Sequence, residues 1–188
     1  MRLGILLAAM FLALVTVNAQ EDWDKYKPRT LDEIVNQHSK LAPAAKGFLF
    51  TGDLFPSRVK VLYTAQQRPL NKERKYFISQ FFKSVNHAEL ADLFISEFLF
   101  KEGSVQYWLP VQEQLIEHFK RELKSGDKAV LFVNWIGAYN RNGKVDWIFL
   151  VNEFESLNPV LAEFGGKGFV SLNRLCQLNA FRRCCTSP

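Results

Sequence analysis

The sequence predicts an α+β domain, an antiparallel sheet of about six strands with three to five helices packed on it. Three observations carry that reading. Apolar runs of strand length are bounded by Gly, Pro and Asn, as in "RVKVLYTA" (58–65) and "LFVNWIGAYNRNGKVDWIFLVNEF" (131–154). Two longer segments, 71–85 and 111–123, repeat apolar residues at helical spacing instead. The links between neighbouring strands are short, and strands joined by short links run antiparallel.

The first 19 residues stand apart from this domain. Arg2 is followed by an uncharged apolar stretch from Leu3 to Val17, and then Val17 and Ala19 supply small or apolar residues at a signal-peptidase site. This is the pattern of a secretory signal peptide (1–19), cleaved after Ala19, and it predicts a secreted or periplasmic protein. Residues 20–43 then form a polar lead and a capped helix. "TLDE" (30–33) is a capping box, Leu31, Ile34, Val35, His38 and Leu41 follow at helical spacing, and Pro43 stops the helix.

Residues 44–156 form the core domain. "GFLFTG" (47–52) and 58–65 read as strands, the second with Val59, Val61 and Tyr63 on one face and Lys60 on the other. In 71–85, Asn71 is the N-cap and Phe77, Ile78, Phe81, Phe82 and Val85 form the buried stripe. Lys72, Glu73, Arg74 and Lys83 are expected to face away. A helical turn at 87–94 leads into a hairpin, "ISEFLF" and "SVQYWLPV" about Lys101-Glu102-Gly103, with Pro110 ending its second strand. Leu115, Ile116, Phe119 and Leu123 then mark an amphipathic helix closed by Gly126.

The long hairpin turns at Asn142-Gly143 and carries Trp135 and Trp147, both expected in the core because both faces of its strands are apolar. Residues 157–188 read as a helical extension with a cysteine-containing tail. Hairpin, helix and second hairpin over residues 95–152 resemble part of the five-stranded OB barrel, which carries a helix between its third and fourth strands. That resemblance implies a partly open barrel, with the helix at 71–85 as an insertion, and no residue-level motif names a family.

With 24 Lys plus Arg against 19 Asp plus Glu the net charge is +5. Loss of Arg2 with the leader would leave +4. The cations are spread along the chain, which gives no nucleic-acid footprint, and no later segment is apolar for long enough to anchor in a membrane. The three cysteines, Cys176, Cys184 and Cys185, suit one disulfide in an oxidising compartment. Adjacent cysteines would need a strained ring, so Cys176 pairs with one of the two, Cys184 being taken here.

Catalytic patterns are missing from the sequence. There is no G-x-S-x-G, no H-E-x-x-H and no EF-hand loop, and "FGGKGF" (164–169) fails the P-loop spacing. His38, His87 and His118 are isolated. Glu97, Asp146 and Glu153 are expected on solvated faces or strand ends. No cofactor or metal is implied. What remains is aromatic: Tyr107, Trp108 and Tyr139, with Arg141 and Lys144 beside the hairpin turn, form the candidate site for a protein, anionic or sugar partner. The leading reading is a non-enzymatic binding or interaction domain. An extracytoplasmic hydrolase with scattered acidic groups or histidines, and an OB-like binder of oligosaccharide or single-stranded nucleic acid, are the alternatives.

Overall fold

A capping box opens the first helix. The Thr30 hydroxyl accepts from the Glu33 amide at 3.0 Å, and the Glu33 carboxylate accepts from the Thr30 amide at 2.8 Å. Two of the donors left over at the helix start are thereby satisfied. The computed structural model describes residues 23–40, 47–141 and 143–157, apart from the side chains of Trp23 and Arg141. The expected signal peptide (1–19), the tail from 158, and the expected pair Cys176 and Cys184 lie outside the described residues. Strand β1 (Lys27–Pro28) precedes that helix, α1 (Leu31–His38), which buries Leu31, Ile34 and His38. Strand β2 (Phe48–Phe50) follows.

Strand β3 (Ser57–Pro69) alternates as expected, with Val59, Val61 and Tyr63 buried and Arg58 and Lys60 exposed. It runs past Ala65, where the apolar run ends. Ala65 adopts a left-handed φ of +60° and the register shifts between Tyr63 and Gln67, so a bulge carries the strand on through polar residues. Helix α2 (Lys72–Ser84) starts where Asn71 accepts from the Arg74 amide, and it buries Phe77, Ile78, Phe81 and Phe82. A 3₁₀ segment, Ala88–Leu93, leads to β4 (Phe94–Glu102) and β5 (Val105–Gln112), joined through Gly103 at φ +59°. Helix α3 (Glu113–Glu122) separates them from the long hairpin of β6 (Lys128–Arg141) and β7 (Lys144–Ser156).

These strands form one seven-stranded mixed sheet in the order β1-β3-β4-β5-β7-β6-β2, and β3 pairs in addition with β6. The expected six-stranded antiparallel sheet is corrected on two counts. There is one strand more, and two of the pairings, β1 with β3 and β5 with β7, are parallel. The second arises because α3 and β6 intervene before the chain returns beside β5. Two local expectations change as well. Pro110 does not end its strand but sits within β5 opposite Glu97. The other edge of β5 is paired at Val111 alone, so a residue without an N–H is tolerated. Gly126 lies in the turn after α3, at φ +94°, where its amide donates to the Tyr63 carbonyl.

Aromatic side chains fill the interior. Phe119 of α3 packs 5.6 Å from Phe98, 5.7 Å from Tyr63 and 4.0 Å from Phe154 between ring centroids. Trp135 is buried against the His38 ring, 4.2 Å away, and its indole N–H donates to the Gly137 carbonyl at 2.8 Å. Trp147 is only half-buried, contrary to expectation. Ile136 bulges out of the β6–β7 register, which passes from Trp135 opposite Phe149 to Gly137 opposite Ile148, and strict alternation fails there. Gly137 itself is required. Its φ is +139°, and a Cβ would fall 2.0 Å from the Leu49 carbonyl oxygen of β2.

Candidate functional site

Arg74 is the organising residue of the region where α2 meets β4, β5 and β7. It was expected on the solvent side of α2, yet its side chain is 9% exposed. Its guanidinium donates four hydrogen bonds to three groups. One nitrogen, Nη1, reaches Glu97 Oε2 and, at 2.6 Å, the Trp108 carbonyl. Nε and Nη2 hold Asp146 in a two-point grip at 2.9 and 2.6 Å. Arg68 adds a second cation, its Nε 2.5 Å from Glu97 Oε1 and its guanidinium carbon 3.9 Å from the Trp108 ring centroid. The Tyr139 hydroxyl closes the network by donating to Asp146 Oδ2 at 2.7 Å.

Each pairing has a physical reason. Glu97 is fully buried, and a carboxylate taken out of water must be matched by cations and hydrogen bonds. Burial opposes the Arg74 charge. The hydrogen bond and charge of Asp146, then those of Glu97, outweigh it and raise the guanidinium pKa above its ordinary value. Burial raises the Tyr139 hydroxyl pKa, and its bond to the charged Asp146 raises it further. The expectation that Glu97 and Asp146 sit on solvated faces is therefore replaced by convergence on one guanidinium. Both are held as ion-pair partners, which makes the cluster a clamp between strands.

Beside the clamp lies a cleft of about 350 Å³ lined by Phe48, Lys72, Glu73, Tyr76, Tyr139 and Asn140. Phe48 and Tyr76 are 41% and 57% exposed, large aromatic groups left open to solvent. Their rings lie 5.7 Å apart, and Phe48 packs edge-on to Phe77 at 5.1 Å and to Tyr139 at 6.2 Å. The Asn140 amide donates to the Gly47 carbonyl, which ties the cleft wall to the approach of β2. Tyr139 thus has two roles: its ring lines the cleft and its hydroxyl enters the clamp.

The residues singled out from sequence do not form one site, although the Trp108 carbonyl and the Tyr139 hydroxyl both enter the Arg74 clamp. Tyr139 is buried in its strand and is not the exposed rim residue expected. Trp108 is half-buried under Arg68. Tyr107, its neighbour, faces the start of α1; burial, then the charges of Glu102 and Asp32, push its hydroxyl up to about 12. Lys144 is exposed at the start of β7, opposite Arg141. Arg74, Phe48 and Tyr76 were missed. The signal for Arg74 was present, since it stands three, four and seven residues before Phe77, Ile78 and Phe81 and so shares their stripe.

The histidines keep structural surroundings. His38 Nδ1 is 2.9 Å from the Ile34 carbonyl, His87 lies beside Glu89, and His118 beside Glu122. Among the described residues no group of three or more His, Cys, Asp or Glu is arranged to hold a metal, and no helix is long and apolar enough to cross a membrane. Comparison with known proteins finds no matching family model, no similar curated protein and no similar solved structure.

Proposed function

We propose that this chain is a secreted or periplasmic binding module on an OB-like barrel, and that its cleft receives an apolar or aromatic group bearing a charged or hydroxylated substituent. The carrying observation is the cleft itself. Two exposed aromatic rings, Phe48 and Tyr76, face a wall fixed by Tyr139, with Lys72, Glu73 and Asn140 at the edge. An apolar concavity with a few placed polar groups is the usual form of a ligand site, and about 350 Å³ lies at the small end of the range. The leader at 1–19 supports export.

The barrel reading is supported by the circuit of pairings. β3 meets β4, β4 meets β5, β5 meets β7, β7 meets β6, and β6 returns to β3, with α3 between the third and fourth of these strands. The face of β4 and β5, which such barrels use for oligonucleotides, here carries α2 and the stacked Arg68, so Trp108 is not a free platform. A hydrolase is disfavoured because Glu97 and Asp146 are both engaged in ion pairs with Arg74.

The test uses anilinonaphthalene sulfonate, an aromatic anion whose fluorescence rises in apolar surroundings. The folded protein is expected to bind it. Phe48→Ala and Tyr76→Ala should each weaken binding about fivefold, as loss of an aromatic contact worth about 1 kcal/mol implies. Tyr76→Ala should leave the melting temperature almost unchanged. Equal dye binding by both variants and the wild type would remove the cleft from consideration.

A further inference from the structure

The cleft does not account for a row of exposed cations on β3 and its neighbours, and from them we infer that the outward face of β6, β3 and β4 docks an acidic polysaccharide chain. Strand β3 buries Val59, Val61 and Tyr63, so Arg58, Lys60 and Leu62 point outward. Leu62 is flanked by Lys128 on β6 and by Lys101 on β4 in the same row. All four cations are exposed. None forms a salt bridge among the described residues. A fifth charge, Lys25, lies 5.6 Å from the Tyr26 ring, which packs edge-on to Phe132, the register partner of Arg58.

Strand geometry sets the spacing. Arg58 and Lys60, two residues apart, are separated by about 7 Å, and Lys128 and Lys101, two strands apart, by about 10 Å. Such an array matches repeating sulfate or carboxylate groups on a linear polymer. Glu153 and Glu155 of β7, opposite Phe132 and Val130, bound the basic surface on one side and would fix how the polymer lies. The rings nearest the cations, Phe132 and Tyr26, are buried and offer no platform for stacking bases. Val130 and Leu62 are half-buried, so no exposed apolar side chain among the cations is placed to enter a bilayer.

The experiment is retention of the full chain on immobilised heparin, with affinity measured across a salt series. One variant replaces Arg58, Lys60, Lys101 and Lys128 by Ser. A second replaces Lys40, Lys75, Lys83 and Lys120 by Ser and has the same net charge. The first is expected to bind more than tenfold more weakly at 0.15 M salt, with a salt slope reduced by about three, while the second stays within twofold of the wild type. The double variant Lys60→Ser, Lys101→Ser should lose about half as much slope, which keeps the test valid if the fourfold variant folds poorly. Equal loss from both fourfold variants, or no retention of the wild type, would overturn the docking face. Tighter binding to a twenty-residue oligothymidylate or to phosphatidylserine vesicles than to heparin would overturn the choice of polysaccharide.

Discussion

Along its β6 edge, β7 forms a backbone ladder from Lys144, opposite Arg141, to Ser156, opposite Ala129. Along its β5 edge the register is the single pair Val111 with Val151. Three residues before that valine on β5 and five before it on β7, the two strands are joined again, but by a side chain: Arg74 takes the Trp108 carbonyl on one side and Asp146 on the other. The contrast shows two ways of joining neighbouring strands. A ladder uses groups that every residue carries, and it tolerates changes of side chain. A guanidinium clamp rests on one residue type with five donors in a planar fork, and nothing on the backbone replaces it.

The largest effect is expected from Arg74→Met, which preserves bulk and removes the charge. It strands Glu97, fully buried, with Arg68 alone, and leaves Asp146 with Tyr139. Breaking a buried pair from one side costs about 3–5 kcal/mol, and denaturant unfolding at pH 7 measures it. Adding Glu97→Gln, which removes the stranded charge, should recover part of the loss. A loss that Glu97→Gln leaves unchanged would mean that packing, not charge, is what Arg74 provides.

The ladder edge has its own weak point at Gly137. There Ala requires both a φ of +139° and a Cβ 2.0 Å from the Leu49 carbonyl oxygen. Gly137→Ala should cost about 2–4 kcal/mol, from backbone strain and displacement of β2. It should also expose the Asn140 amide, which donates to the Gly47 carbonyl, to hydrogen exchange. Retained protection at Asn140 would show that β2 accommodates the methyl group without moving.

The same contrast decides what the sequence could disclose. The β6–β7 hairpin was legible because its signal is local: two apolar runs and a turn at Asn142-Gly143. The Thr30 capping box and the α2 stripe were legible for the same reason. The β5–β7 pair was not, because it joins residues 40 apart and runs parallel, and no local pattern marks it. Arg74 was misread by residue type. A charged residue on an apolar stripe was assigned to solvent, although its spacing to Phe77 and Phe81 put it inside. Of the cleft, only Tyr139 was anticipated, and on the wrong side of the surface. Phe48 and Tyr76 converge through β2 pairing with β6, which three residues of "FLF" do not announce.

A smaller change probes the outer end of the clamp. Tyr139→Phe removes the hydroxyl that donates to Asp146 but leaves both Arg74 bonds to that carboxylate. The expected cost is about 1–2 kcal/mol at neutral pH. Its pH dependence has a definite sign. The folded hydroxyl pKa is raised, so the unfolded chain releases this proton first, and the wild type loses stability relative to the variant as pH climbs above the ordinary tyrosine value near 10. Melting temperatures of the two proteins should therefore converge above pH 10. Parallel curves would mean that the hydroxyl titrates alike in both states.

The smallest effect tests whether side-chain fastening extends beyond β7. Glu102, at the end of β4, accepts from the Leu31 amide at 3.0 and 2.9 Å and from the Asp32 amide at 3.2 Å, which ties the start of α1 to the sheet. Burial raises its pKa; the two amides pull it down, and the charges of Asp32 and Glu33 raise it again, with the net direction upward. The proton is therefore held more tightly folded than unfolded, and the contribution of Glu102 declines as pH rises from the ordinary glutamate value through the folded one. Glu102→Gln keeps one acceptor for the amides and cannot ionise. It should lower stability by no more than about 1 kcal/mol and flatten the decline above pH 4. If the variant instead steepens that decline, the two amides outweigh the desolvation of the carboxylate. The helix dipole would then belong with Arg74 among the features that make a buried charge tolerable here.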